Sequence, residues 1–345
     1  MVSYGPMTRA LFCVRVAVAL AAWTVGGCGG GGSSQGWTGP ISPGDGFPTG
    51  AVSFRSSPID LGAIQWITPL GNLNPPGHTL PTSHIYFYFA NPDAGESPVA
   101  KRVPFAAPGD GTVTTLLGGL GAESKLFVRQ TSTFTYTIDH LILTVPLAQG
   151  SKVTAGQVLG TTGSAYGIDL GVINETMTLP FVNPSRYGWD MLHAEAPLKF
   201  FDEPVRSQLY AKVERLGPDL DGRIDFDIAG RLVGNWFFGA GDAFPLVFTY
   251  DTYDPSQVRI AVNTGPVQGV FSVAATDPLP RDVSVASGKV LYTLRRGITG
   301  LRRPNPAILG FMLVQMIDDS RVTEEMFAPS SPPTDFTGNA RTFSR

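Results

Sequence analysis

The chain has little cysteine, little histidine and little charge: of its 345 residues two are cysteines, four are histidines and 15% are charged. Two cysteines, Cys13 and Cys28, are too few for a disulfide-rich domain or a zinc site built on several thiolates. The net charge is −3 and no basic stripe occurs, which excludes a typical nucleic-acid-binding protein. Beyond the N-terminus the longest apolar run is Ala307–Ile317, well short of the ~20 residues that a membrane-spanning helix needs.

The N-terminus has the pattern of an export signal. Arg9 and Arg15 are the only charged residues among the first 27, and the apolar run Val16–Val25 has the length of a signal core. The following Val25-Gly26-Gly27-Cys28 resembles the bacterial lipobox. This resemblance implies cleavage before Cys28 and a membrane anchor through lipid on that cysteine. The alternative is an ordinary secretory signal with an unrelated cysteine.

A flexible segment follows the predicted anchor. Gly29–Gly50 contains nine glycines and three prolines, a composition typical of a flexible tether. We therefore expect a signal peptide over 1–27, a tether over 28–50 and a folded part held at the cell envelope. Gly29 resembles the outer-membrane sorting pattern, which predicts an outer-membrane lipoprotein if the host has two membranes.

The remainder of the chain is predicted to be mostly β. Short runs of β-branched and aromatic residues alternate with turns rich in glycine and proline. The clearest expected strands are Lys125–Val128, Thr133–Val145, Arg223–Ile228, Val258–Val262, Val270–Ala274, Val290–Leu294 and Ile308–Ile317. One short helix is expected around Pro204–Arg215. We predict a first β domain over 51–190, and a second antiparallel β domain with a C-terminal tail over 191–345.

Two segments of the first domain share a pattern with a known family. Val103–Val113 contains Ala-Pro-Gly-Asp-Gly-Thr-Val, and Val153–Gly163 contains Val-Thr-Ala-Gly-Gln-Val-Leu-Gly-Thr-Thr-Gly. Together they resemble lysostaphin-type (LytM-like) zinc metalloendopeptidases, which cleave peptidoglycan cross-bridges. The resemblance covers about a third of the chain and implies a barrel-sandwich β fold, in which each segment makes a tight glycine turn. Lipoyl-type barrels share much of this pattern.

The zinc ligands of that family are mostly missing. The family binds zinc through His-x-x-x-Asp and the second histidine of His-x-His. On this alignment His84 takes the first ligand position, Tyr88 replaces the aspartate and Gly171 replaces the last histidine. His140 lies where the family often has an accessory catalytic histidine. The resemblance thus implies a domain without cofactor that binds peptidoglycan or an envelope protein.

Two other interpretations of the histidines remain open. His78, His84 and His140 could rebuild a zinc site of another kind, which would make the chain an active cell-wall peptidase. Alternatively His140 is a core residue, because strict strand alternation places it on the apolar face of Phe134 and Tyr136.

The second domain carries a weaker resemblance. Gly234-Asn235-Trp236 matches the Gly-x-Trp on the first strand of lipocalin-like barrels, and several antiparallel strands follow it. This implies a small barrel with an apolar ligand pocket at Trp236. The third functional hypothesis is therefore an envelope protein that binds an apolar ligand.

Overall fold

A computed structural model describes residues 46–239, 245–264, 268–297, 307–330 and 332–345. The predicted signal peptide, Cys28 and most of the tether lie outside these residues. The described chain is mostly β with few, short helices, as predicted. It forms two antiparallel units, the second of which is a closed barrel. None of the described helices is both long enough and apolar enough to span a membrane.

The first unit is a sheet of nine strands with the path β1-β2-β9-β6-β5-β4-β7, in which β3 pairs with β8 and β8 also pairs with β6. Its strands are β1 (Trp66–Thr68), β2 (His84–Tyr88), β3 (Pro104–Ala106), β4 (Gly111–Leu117), β5 (Glu123–Thr131), β6 (Phe134–Leu143), β7 (Lys152–Val153), β8 (Val158–Thr162) and β9 (Gly167–Asn174). Two short helices follow them, α1 (Trp189–Leu192) and α2 (Val205–Tyr210).

The two segments with the family pattern lie against each other. Strand β3 pairs with β8, with Phe105 opposite Gly160. A Cβ atom at Gly160 would lie 2.0 Å from the carbonyl oxygen of Ile142 on β6. Glycine is therefore required where β8 crosses close to β6. The pattern thus reflects how tightly the sheet folds back on itself, as the sequence predicted.

The second unit is an eight-stranded meander, in which each strand pairs with the next and β17 returns to β10. The strands are β10 (Gly234–Phe237), β11 (Pro245–Tyr250), β12 (Val258–Val262), β13 (Gly269–Ser272), β14 (Lys289–Arg296), β15 (Ile308–Asp318), β16 (Arg321–Phe327) and β17 (Arg341–Ser344). Alternate side chains fill its interior, including Trp236, Phe248, Tyr292, Met312 and Phe343. The predicted small barrel is therefore confirmed.

The boundary between the units lies later than the predicted 190/191. Leu198, Phe201, Leu209 and Ile224 are buried in the core of the first unit. Residues up to about 224 thus complete the first core before the barrel begins at Gly234. A boundary placed from composition misses this, because composition does not show that the connecting chain packs back against the sheet of the first unit.

The predicted strand Arg223–Ile228 is wrong. This segment has no strand partner, and its burial does not alternate: Ile224 and Asp227 are buried, whereas Ile228 is exposed. Ile224 enters the first core, while the Asp227 carboxylate accepts hydrogen bonds from the backbone of Asn235 at 2.9 Å and from the hydroxyl of Tyr187 at 3.1 Å. The segment is therefore a linker bound between the two units and not a strand.

The structure also shortens two other predicted segments. Phe47 and Pro48, assigned to the tether, contact the first unit: Arg129 lies over the Phe47 ring, and Pro48 accepts a hydrogen bond from the Ser132 backbone. The helix predicted over Pro204–Arg215 is confined to Val205–Tyr210.

Candidate functional site

The candidate histidines of the first unit lie at the centre of the sheet, where β2 runs antiparallel to β9. In this register His84 is opposite Gly171, Tyr86 is opposite Asp169 and Tyr88 is opposite Gly167. Directly opposite residues of an antiparallel pair project from the same face. Asp169 is therefore flanked along its own strand by two glycines and faces an aromatic row on β2.

His140 reaches the site through a distortion of β6. Two residues of β6, Asp139 and His140, oppose the single residue Lys125 on β5, which makes a β-bulge. At the same point β6 changes its neighbour from β9 to β8. His140 has φ = 64°, the only non-glycine residue with positive φ in the part of the chain that the structure describes. This conformation is strained for a residue with a side chain.

The bulge alters which side chains of β6 face the core. Ile138 is buried on the apolar face, and after the bulge Leu141 and Leu143 take that face. The strict alternation that placed His140 among core residues therefore fails at this position. Instead, Nδ1 of the His140 imidazole lies 2.5 Å from Oε1 of Glu123 on the neighbouring strand.

Asp169 is the residue on which the histidines converge. Its Oδ2 lies 3.2 Å from Nε2 of His84 and 3.8 Å from Nε2 of His140. The Asp169 side chain is 5% exposed, and its Oδ1 is buried with no hydrogen-bond partner. His78 joins from a loop, with its ring centroid 5.2 Å from that of His84. The structure thus brings together all three histidines predicted to carry chemistry.

Burial makes the centre of this site largely neutral. It raises the pKa of Asp169 to about 7 and lowers the pKa of His84 well below its usual value. The pKa of His78 falls to about 4, first because of burial and then because Lys125 and His140 lie nearby. His84 and Asp169 are therefore better described as a neutral contact than as an ion pair, and the hydrogen bond of the His84 Nε2 is with the Tyr86 hydroxyl, at 3.0 Å. Charge is concentrated at the margin, where Lys125 lies 3.2 Å from Asp139.

Asp169→Asn is expected to raise stability at pH 8, and the gain should shrink towards pH 4. The folded state holds the Asp169 proton up to a pKa of about 7, whereas an unfolded chain releases it near 4. Stability from this group is therefore complete below pH 4 and lost as the pH rises to 7. Urea unfolding at pH 5 and pH 8 measures the difference. A gain for Asp169→Asn that is equal at both pH values would contradict the assignment.

Two of the three zinc-ligand positions that the sequence resemblance assigns are occupied differently in this chain. At Gly171 a Cβ atom would lie 2.5 Å from Oγ1 of Thr137, so the space for a side chain is already taken. At the aspartate position Tyr88 stacks on Trp66, with ring centroids 4.4 Å apart and planes at 13°. Neither residue supplies a carboxylate or an imidazole. His84 alone retains the residue type that the resemblance requires.

A rearranged metal site would have to be built from the histidines of the site and the acids around them. Across the described ranges, no group of three or more histidine, cysteine, aspartate or glutamate side chains is arranged to hold a metal ion. His84 and His140 do converge on one carboxylate oxygen, but Glu123 occupies the other nitrogen of His140. The rearranged zinc site of His78, His84 and His140 stays a prediction.

Trp236 is placed on the first strand of the barrel, as its sequence pattern suggested. Its side chain is fully buried, and its indole donates a hydrogen bond of 2.8 Å to the carbonyl of Leu232. The guanidinium of Arg345 covers the ring at 3.9 Å. Trp236 therefore closes one end of a filled barrel, and the ligand pocket proposed for it stays a prediction.

Several residues of the site carried little sequence signal. Asp169 lies two residues before the missing ligand position at Gly171, but its role as the meeting point of the histidines depends on the bulge. Glu123 begins a strand 17 residues before His140, and no motif links the two. Thr137 looks like an ordinary strand threonine until its distance from Gly171 is known. The pairing of the strands in the folded structure was needed to find these residues.

Searches against known proteins give no family assignment. No protein-family model matches the chain, and no curated protein matches it. Among solved structures, a zinc-containing peptidase from Vibrio cholerae is 18% identical with a TM-score of 0.27, over 36% of this chain and 37% of that one. The chain thus spans little more than a third of that peptidase.

Two further structures align with part of the chain. The SpoIIQ-SpoIIIAH pore-forming complex aligns at 16% identity and a TM-score of 0.29, covering 46% of this chain and 96% of that one. Helicobacter pylori Csd3 aligns at 17% identity and a TM-score of 0.27, covering 40% and 35%.

Proposed function

We propose that the chain is a lipid-anchored envelope protein whose first unit is a peptidase-like domain that binds a peptidoglycan peptide without cleaving it. The observation that carries the proposal is the register of β9 with its two neighbours. It places Gly171 opposite His84 on β2 and opposite Thr137 on β6, whose Oγ1 takes the space of a side chain at 171. The sequence resemblance places Tyr88 at the position of an acidic ligand. A metal-dependent peptidase needs three protein ligands and an open position for water.

A strained residue at the centre of the site supports a binding role. His140 has a left-handed backbone conformation, and Glu123 holds its ring in one orientation. Such strain costs of order 1–3 kcal/mol and concentrates at functional sites.

The margin of the site offers the groups that recognise a peptide. The side chains of Glu123, Lys125 and Asp139 are between 28% and 37% exposed, and His140 lies between them. These groups supply donors and acceptors for amides, a terminal amine or a terminal carboxylate. The predicted lipid on Cys28 and the predicted tether would hold this surface close to the cell wall.

Co-sedimentation with purified peptidoglycan sacculi tests the binding. The full-length chain in detergent should sediment with sacculi, and His140→Ala should weaken the affinity about tenfold or more, in line with loss of a central contact. Glu203→Gln, an exposed change near α2, is the matched control and should bind normally. Mass spectrometry of the supernatant should find no released fragments.

Two other outcomes of the co-sedimentation experiment would contradict the proposal. Release of peptide fragments would contradict the non-catalytic proposal and favour the rearranged metal peptidase, the alternative suggested by the convergence of His84 and His140 on Asp169. Failure to sediment would contradict peptidoglycan as the ligand, and cross-linking to envelope proteins would then identify a protein partner.

A further inference from the structure

The segment Gly71–Thr82, here called the flap, covers the site. Its ends are joined by hydrogen bonds from the Gly71 amide to the Thr82 carbonyl and from the Thr82 amide to the Asn72 carbonyl. Near its tip, Asn74 and His78 exchange two backbone hydrogen bonds of 2.7 and 2.9 Å. The flap is therefore a hairpin with its own internal hydrogen bonds and not an extended connection.

One side of the flap faces the site. The side chains of Thr82 and Asn72 lie close enough to the phenol of Tyr86 to lower its pKa, against the larger upward effect of burial, and the Thr82 hydroxyl donates a hydrogen bond of 3.3 Å to the carbonyl of His84. The His78 ring meets the edge of His84 and lies 6.3 Å from Tyr86. These contacts account for the burial of Tyr86, which is 8% exposed although it lies on a face that the sheet itself leaves open.

The opposite side of the flap is attached to the barrel. Leu73 packs in a small apolar cluster with Val247 and Ala261, which point outward from the barrel wall. At the base of the flap, the hydroxyl of Thr252 donates a hydrogen bond of 2.8 Å to the carbonyl of Leu70. Polar and apolar contacts thus hold the flap between the barrel and the site.

A cavity of about 230 Å³ lies directly behind the flap. Residues 71–75 form one of its walls, and Val270, Gly269 and Thr252 of the barrel contribute to the other. The space is partly open to solvent, and beside one hairpin it leaves room for that hairpin to move. Movement into the cavity would draw Asn72 and His78 away from Tyr86 and His84.

We propose that the flap is a lid that controls access to Asp169 and His84, and that the barrel is the element that holds it closed. A ligand at the centre of the site displaces Asn72 and His78, and the cavity accepts the displaced hairpin. The barrel therefore regulates the first unit through the outer side of the flap. This goes beyond the proposed binding function, and its test requires no ligand.

The test is the rate at which diethyl pyrocarbonate modifies each histidine at pH 7 in the full-length chain, read by peptide mass spectrometry. Leu73→Ala removes the apolar contact to the barrel, and we expect it to speed modification of His84 about tenfold by favouring local opening. Val270→Phe fills the cavity behind the flap and should slow the modification of His84. His193, which is 6% exposed and distant in sequence from the flap, should react at an unchanged rate in both.

The two variants are expected to change the modification rate of His84 in opposite directions, so the proposal does not depend on either variant alone. Unchanged modification of His84 in both variants would overturn it. Equal acceleration of His84 and His193 in Leu73→Ala would also overturn it, because it would show general loosening in place of flap opening. Loss of sacculus binding in wild type would leave this result unaffected.

Discussion

Gly171→Ala is expected to destabilise the protein by about 2 kcal/mol, a typical cost of overpacking a well-filled site. The new Cβ atom would lie 2.5 Å from Oγ1 of Thr137 and 3.4 Å from Cβ of His84. The φ angle of Gly171 is not in the left-handed region, so the effect would come from crowding and not from backbone strain. Urea unfolding measures the change.

A double-mutant cycle identifies the cause. In a Thr137→Ala background the crowding atom is absent, and Gly171→Ala should cost less than about 1 kcal/mol. Gly119→Ala is the matched control, since a Cβ there meets nothing within 4 Å. Equal costs in the two backgrounds would show that Thr137 does not occupy the ligand position.

Arg345→Ala should have the largest effect in the barrel, about 3–5 kcal/mol. The guanidinium donates hydrogen bonds to the carbonyls of Ile228 at 2.8 Å and Arg231 at 2.6 Å, and it covers Trp236. Removing it leaves buried carbonyls without donors and exposes the indole. Arg345→Lys keeps the charge but not the planar fork, so it should recover only part of the loss.

Urea unfolding followed by tryptophan fluorescence measures this prediction. Arg296→Ala, at an exposed position near the end of β14, is the control and should be close to neutral. An Arg345→Ala variant as stable as this control would contradict the role of Arg345 as the residue that covers Trp236 and satisfies the carbonyls around it.

The sequence predicted the parts of the fold that depend on local pattern. The two glycine-rich segments, the alternating strands and the Gly-x-Trp each indicated a structure that is present, because turn geometry and side-chain alternation are encoded over a few residues. The strand predicted over Arg223–Ile228 failed because apolar and acidic residue types alternate there without alternating burial. A local pattern does not show whether a partner strand is present.

The site was only partly predictable. His84, His78 and His140 could be listed because histidine is scarce in this chain, and the resemblance supplied the loss of ligands at Tyr88 and Gly171. The bulge at His140 could not be foreseen, since it arises where β6 changes its partner strand from β9 to β8. His78 reaches the site on the flap, which also packs on the barrel through Leu73, and these contacts join segments distant in sequence.

Zinc stoichiometry of the purified full-length chain tests the central claim most directly. The protein is offered zinc, dialysed without chelators and measured by elemental analysis, with His84→Ala treated in parallel. The loss of ligands at Tyr88 and Gly171 predicts no zinc above the background of the variant. About one zinc per chain in wild type, lost in His84→Ala, would contradict the account and make the first unit a metal enzyme with a rearranged site.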